Sequence, residues 1–187
     1  MKVIVAEGPL LDQITSLTYD IWHEGLSERA YSQWNAAQMR TPWGRTHLQR
    51  LALVDVSGRL LATAKRYRYR MRLDGRVGWM SGIGAVFTPP LQRGKGYASQ
   101  LIEQLLEIER KDGALLAGLF SEIGATFYER LGFTVVPIDE VRYESSAAMV
   151  RQQCSSAPVT IATCPRSNRC IRFDRQASDS RSLATSR

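Results

Sequence analysis

The stretch that decides the fold is Phe87–Gly113, FTPPLQRGKGYASQLIEQLLEIERKDG. Its second half predicts a helix. Ala98, Leu101, Leu105 and Ile108 recur at three-to-four spacing and mark one buried stripe. Arg110 and Lys111 suit the negative end of the helix dipole, and Gly113 suits the stop. The first half supplies the chemistry. Gly94, Gly96 and Ala98 are small residues at the mouth of that helix, flanked by Arg93 and Lys95. A helix N-terminus exposes unpaired N–H groups, and glycines let the backbone wrap an anion closely because no Cβ intervenes. The natural guest is pyrophosphate-sized. The plain alternative is a tight strand-to-helix turn that holds nothing.

Two nucleotide-binding patterns fail here. A P-loop needs Gly-Lys followed by Ser or Thr to hold magnesium, but Lys95 is followed by Gly96 and Tyr97. A dinucleotide fingerprint needs a third glycine where Ser99 stands.

Outward from the helix, the pattern is that of a mixed α/β domain. KVIVAE predicts a strand, and GPLLDQITSLTYDIWHEG a helix with Pro9 in its first turn and Gly25 at its stop. Leu10, Ile14, Leu17 and Ile21 predict its buried stripe. A second helix follows Ser27, a good N-cap, and ends before Pro42. Three strand signals come next, the last two joined by the hairpin pair Asp74-Gly75. After the quoted helix, ALLAGLF predicts a buried strand, EIGATFYERLG a short helix and FTVVPIDEVRYE a strand. The order β-α-α-β-β-β-α-β-α-β places the helices around one central sheet.

RGKGYA reads Arg-x-x-Gly-x-Ala. It resembles the coenzyme A pyrophosphate loop of the GNAT superfamily of N-acetyltransferases. VFTPPLQRG before it is similar to the end of that family's fourth strand, and FYERLGF after it to the family's second signature. The resemblance runs from residue 3 to about residue 144. It implies a GNAT-like α/β fold, with a central, mostly antiparallel twisted sheet of six or seven strands flanked by about four helices. It also implies acetyl-CoA as acyl donor and no metal. Arg93, Gly94, Lys95, Gly96, Tyr97 and Ala98 would bind the pyrophosphate. Val86, Phe87 and Thr88 would pair with the pantetheine arm by strand addition. Ser121 stands where many members carry a cofactor-contacting Asn. Tyr128 matches the Tyr that protonates the departing thiolate.

The general base is less legible. Many members place a Glu on the fourth strand, but VGWMSGIGAVF has no carboxylate. Glu122, Glu24 and His23 are the candidates. Each has a bland reading as well, Glu122 as a helix-dipole partner and His23 as a packed residue; a water chain is the remaining option. The acceptor side should draw on Trp22, Glu24 and neighbouring aromatics, with Glu24 attracting a cationic amine. In AKRYRYRMRL, period two puts Arg66, Arg68, Arg70 and Arg72 on one face and Tyr67, Tyr69, Met71 and Leu73 on the other. The favoured reading of the Arg face is a solvated sheet face, ahead of an acidic acceptor or nucleic acid.

Charge agrees that nucleic acid is not the partner of the body. Residues 1–146 carry a net +2 and residues 147–187 a net +5, so the tail dominates the overall +7. All three cysteines, Cys154, Cys164 and Cys170, lie in that tail, where an odd count and no histidine argue against disulfides or zinc. The expected organisation is an acetyltransferase domain over 1–146, then an atypical tail with one candidate strand near 158–164. Disorder is expected beyond about Arg175, and an altered reading frame is one explanation of the tail. With no signal peptide or apolar run of membrane-spanning length, the expected location is cytoplasmic. The expected reaction is acetyl transfer from acetyl-CoA to a small-molecule or peptide amine, with a homodimer left open. The rival is an acetyl-CoA sensor of the same fold without turnover.

Overall fold

The computed structural model describes residues 1–121 and 123–136, and the backbone strand 160–163. Glu122, the 146/147 boundary and the chain beyond Arg175 lie outside the described residues. One seven-stranded sheet runs through the molecule in the order β1-β2-β3-β4-β5-β7-β6. Its strands are β1 (Lys2–Val5), β2 (Leu48–Val54), β3 (Leu60–Leu73), β4 (Arg76–Phe87), β5 (Leu116–Ser121), β6 (Thr134–Val136) and β7 (Thr160–Thr163). Every neighbouring pair is antiparallel except β4 with β5. The β3–β4 hairpin turns at Asp74 (φ 46°) and Gly75 (φ 77°). Two successive left-handed residues match the twist of the flanking strands, which is why Asp-Gly is favoured there.

The helices are α1 (Gly8–Trp22), α2 (Glu28–Arg40), α3 (Gly44–His47), α4 (Tyr97–Lys111) and α5 (Thr126–Glu129). The Ser27 hydroxyl caps α2 by accepting from the Ala30 N–H at 3.3 Å. The short α3 is a helix beyond the four expected. Pro42 ends α2, and the Thr41 hydroxyl accepts the Gly44 N–H at 2.9 Å to start a new turn. Among the described residues, no helix is long and apolar enough to cross a membrane.

The sheet separates two clusters of buried residues. On one face Leu101, Ile102 and Leu105 of α4 and Tyr128 of α5 pack on Leu51, Leu53, Ile83 and Leu119. On the other, Ile14 of α1 packs on Ala52, Val54 and Leu60. Two predicted stripes rotate relative to expectation. In α1 the buried positions are Ile14, Thr15 and Thr18, while Leu17 and Ile21 are exposed. Thr18 is tolerated inside because its hydroxyl donates to the Ile14 carbonyl at 2.9 Å and meets the Tyr31 hydroxyl at 3.1 Å. In α4, Ile108 is exposed and Glu109 takes the inner position, 1% exposed.

Glu109 also corrects the reading of the arginine strand. Its Oε1 accepts from Arg66 at 2.8 Å and from Arg68 at 3.1 Å, and Arg68 reaches Asp112 as well. Half of the supposed solvated face is thus clamped under the C-terminal half of α4. Only Arg70 and Arg72, beyond the helix, are open to solvent. That leaves no continuous arginine stripe for nucleic acid or an acidic chain to follow.

Candidate active site

β4 and β5 are paired over only four residues each, from Met80 opposite Leu116 to Ile83 opposite Leu119. Beyond Ile83 the two strands part. The cause lies in β4. Between its pairings of Gly84 with Lys65 and Phe87 with Thr63, three steps on β4 oppose two on β3. The extra residue is Ala85, held at φ 46°. A bulge bends its strand and ends regular pairing. Nη1 of Arg50 donates to the Ala85 carbonyl at 3.2 Å and holds the bulge from the α1–α2 face. A wedge opens between Gly84–Phe87 and the end of β5, with unpaired backbone along β4.

The wedge leads to the loop before α4. Gly94 (φ 74°) and Gly96 (φ 77°) are both left-handed, and Gly96 is the N-cap, giving α4 no capping side chain. A Cβ built on either would meet no atom within 4 Å. The glycines therefore leave open space over the helix N-terminus, a cradle that suits an anion approaching the backbone. The two flanking cations build the loop. Nε of Arg93 donates to the Thr88 carbonyl at 3.2 Å, and Nζ of Lys95 to the Leu91 carbonyl at 2.9 Å.

Tyr128 and Ser121 meet on the β5 side of the wedge. Tyr128 is 5% exposed, with its ring against Phe127 and Phe133. Burial pushes its hydroxyl above the ordinary tyrosine value, and a hydrogen bond from Ser121 partly offsets that. On the other strand, Val86 packs toward the α4 core, and Phe87 turns to the opposite face, 6.4 Å from the Trp22 ring. Glu24 is exposed at φ 49° just past α1. His23 is occupied, since its Nδ1 accepts the Gly25 N–H at 3.0 Å and its ring lies against Tyr19. Val86 and Tyr97 pack on the core cluster that holds Tyr128, Ser121 acts on the Tyr128 hydroxyl, Arg93 ties the 93–98 loop to Thr88, and Trp22 lies against Phe87 on the α1 side. Among the described residues, no group of three or more His, Cys, Asp or Glu is placed to hold a metal.

Sequence reading missed a pair of cations on the α1–α2 face. Arg50 and Lys65 line a small pocket with Leu11, Thr15, Asn35, Met39 and Leu48. Arg50 is 3% exposed. Burial lowers the Arg50 guanidinium to about 10 and the Lys65 ammonium to about 8. The available signal was one cation inside the apolar strand LQRLALV. Lys65→Met is expected to stabilise the fold at pH 7 by about 1 kcal/mol, since relief of the burial cost outweighs a lost hydrogen bond to Gln38 and a lost contact with Trp34. The unfolded chain keeps this proton up to about 10.5, the folded one only to about 8. Wild-type stability therefore gains from this group as pH rises through that window, and the advantage of the variant should shrink over it. Urea midpoints at several pH values measure both effects.

A family model for the GNAT acetyltransferase domain matches residues 13–136. The chain belongs to that family, a family of acetyltransferases. No curated protein matches it. Among solved structures, a Trypanosoma brucei acetyltransferase is 24% identical with a TM-score of 0.57, over 77% of this chain and 99% of that one. A GNAT family acetyltransferase from Brucella melitensis, in complex with acetyl-CoA, is 20% identical with a TM-score of 0.52, over 77% and 96%. A conserved protein from Enterococcus faecalis is 17% identical with a TM-score of 0.57, over 71% of this chain. The chain spans only 32% of the Enterococcus protein and 33% of a Kribbella flavida GCN5-related N-acetyltransferase.

Proposed function

We propose that the chain transfers an acetyl group from acetyl-CoA to an amine by direct attack. The observation that carries this is the meeting of the β4–β5 wedge with the glycine cradle of α4 on one side and Tyr128 on the other. The backbone N–H groups of residues 93–98 would receive the pyrophosphate. The free edge of Val86–Thr88 would pair with the pantetheine arm as an added strand. The amine nitrogen attacks the thioester carbon, forming the C–N bond. The C–S bond breaks, the Tyr128 hydroxyl gives its proton to the departing sulfur, and the proton lost by the acylated nitrogen returns through water to the Tyr128 phenolate. Ser121 orients that hydroxyl. Glu24 sits on the acceptor side, where it would attract the ammonium form of the amine. The catalytic unit comprises residues 1–146 together with β7, the tail strand that pairs with β5 and β6, and its setting is the cytoplasm.

A rival reading, a sensor that binds acetyl-CoA without turnover, has one observation in its favour: β4 carries no carboxylate between Arg76 and Phe87. Thiol release with a panel of amines separates the two. Calorimetry with acetyl-CoA tests the site itself. Gly96→Glu should weaken binding by tenfold or more, roughly 1.4 kcal/mol. The new carboxylate would enter the space left over the helix N-terminus. A left-handed non-glycine residue alone costs about 1–2 kcal/mol of stability, which a domain survives. Unchanged affinity in the folded variant would remove the loop from the site.

A further inference from the structure

We infer that the pocket between α1, α2 and the sheet holds a carboxylate of the acceptor, so that the acceptor class is an amino acid or a peptide with a free carboxylate near its amine. The inference rests on the acetyltransferase reading above. Two cations, Arg50 and Lys65, line this pocket together with Asn35. Arg66, Arg68, Arg59, Arg110 and Lys111 all have carboxylate partners. Neither Arg50 nor Lys65 makes a salt bridge among the described residues, and the Glu24 carboxylate acts on Lys65 only at longer range. Arg50 gives Nη1 to the Ala85 carbonyl, and Lys65 has only the neutral Gln38 side chain at 3.3 Å and the Trp34 ring at 5.5 Å.

Buried charge without a counterion is costly, and a fold retains it where something else supplies the anion. Bulge anchoring accounts for one N–H of Arg50 and for nothing at Lys65. The pocket is also in the right place. Lys65 pairs with Gly84, one residue before the bulge, and Arg50 touches the bulge itself. An anion held there lies on the acceptor face, beside the end of β4 where the acetyl group would arrive. The site thus offers two cations to one carboxylate. Leu11, Met39 and Leu48 wall the rest, which favours a compact monoanion over a phosphate with its own hydration. Guanidinium and carboxylate are matched in shape.

The test compares L-amino acids with the matching L-amino acid amides as acceptors, by thiol release from acetyl-CoA. Wild-type kcat/KM should favour the acid over its amide by about 10- to 100-fold, the range for a hydrogen-bonded charge pair. Lys65→Met should bring that ratio toward one, mainly through a higher KM for the acid, and Lys65→Arg should restore part of it. Thermal melts establish that both variants are folded. Equal rates for acid and amide, or a ratio unmoved in Lys65→Met, would overturn the inference. So would a panel in which no amino acid is acetylated while calorimetry shows acetyl-CoA bound; the acetyltransferase reading would survive that result. Absence of acetyl-CoA binding in the wild type would overturn both.

Discussion

Tyr128→Phe should lower the turnover of amine acetylation by about 10- to 1000-fold, the usual contribution of a positioned general acid, with acetyl-CoA affinity near that of the wild type. The substitution removes one hydroxyl and keeps the ring that packs against Phe127 and Phe133. The fold therefore has little reason to change. The hydroxyl is well suited to the task. Burial holds its proton above the ordinary value of 10.0, so it stays protonated over the pH range in which amines turn over. Ser121, the last residue of β5, acts on the same hydroxyl and partly offsets the effect of burial. Ser121→Ala should have a smaller effect in the same direction, through orientation. Stopped-flow or steady-state thiol release measures both. Wild-type turnover in Tyr128→Phe would reduce this residue to packing.

The second large effect concerns stability. Glu109→Ala should destabilise the domain by about 3–5 kcal/mol, the cost of breaking a buried ion pair by removing one partner. Glu109 is the shared acceptor of Arg66 and Arg68, and Arg66 is only 13% exposed. Alanine leaves both guanidinium groups beneath α4 with less than they need. Adding Arg66→Met should recover part of the loss, because an apolar residue of similar length tolerates the same burial. The urea midpoint reads both variants. A loss under about 1 kcal/mol would mean that the two arginines swing out to water at little cost, as exposed ion pairs do.

This clamp also bears on catalysis. β3 is held to α4 by Glu109 on one face and carries Lys65 on the other. The helix that begins with the two glycines and the strand that lines the Arg50–Lys65 pocket are thereby fixed to each other. A pyrophosphate at one end of α4 and an acceptor on β3 would be positioned by one rigid unit, which is what direct attack between two bound reactants requires.

Much of the fold was legible from local pattern. Asp74-Gly75 specified a hairpin because its two left-handed residues are set by their own backbone preferences. Ser27 specified the start of α2 in the same way, through a bond across three residues. Gly94 and Gly96 marked left-handed backbone ahead of α4, which glycine adopts without a Cβ penalty. The roles proposed for Tyr128 and Ser121 come from resemblance, Tyr128 through FYERLGF and Ser121 through standing where many members carry an Asn.

Only the tertiary structure decided which face of each element would meet which neighbour. Alternating Arg and Tyr in β3 reads the same whether water or α4 covers the arginines; Glu109, 43 residues beyond Arg66, settles it. Helical spacing in α4 admits Ile108 or Glu109 as the inner residue, and the inner place goes to the one with two cations waiting. The bulge at Ala85 has no local signature. It exists where β3 and β4 fall out of step and Arg50, 35 residues earlier in the chain, reaches the displaced carbonyl. The wedge follows from that bulge. Turns and caps are fixed by bonds a few residues long, whereas burial of a charge depends on partners that only folding brings near.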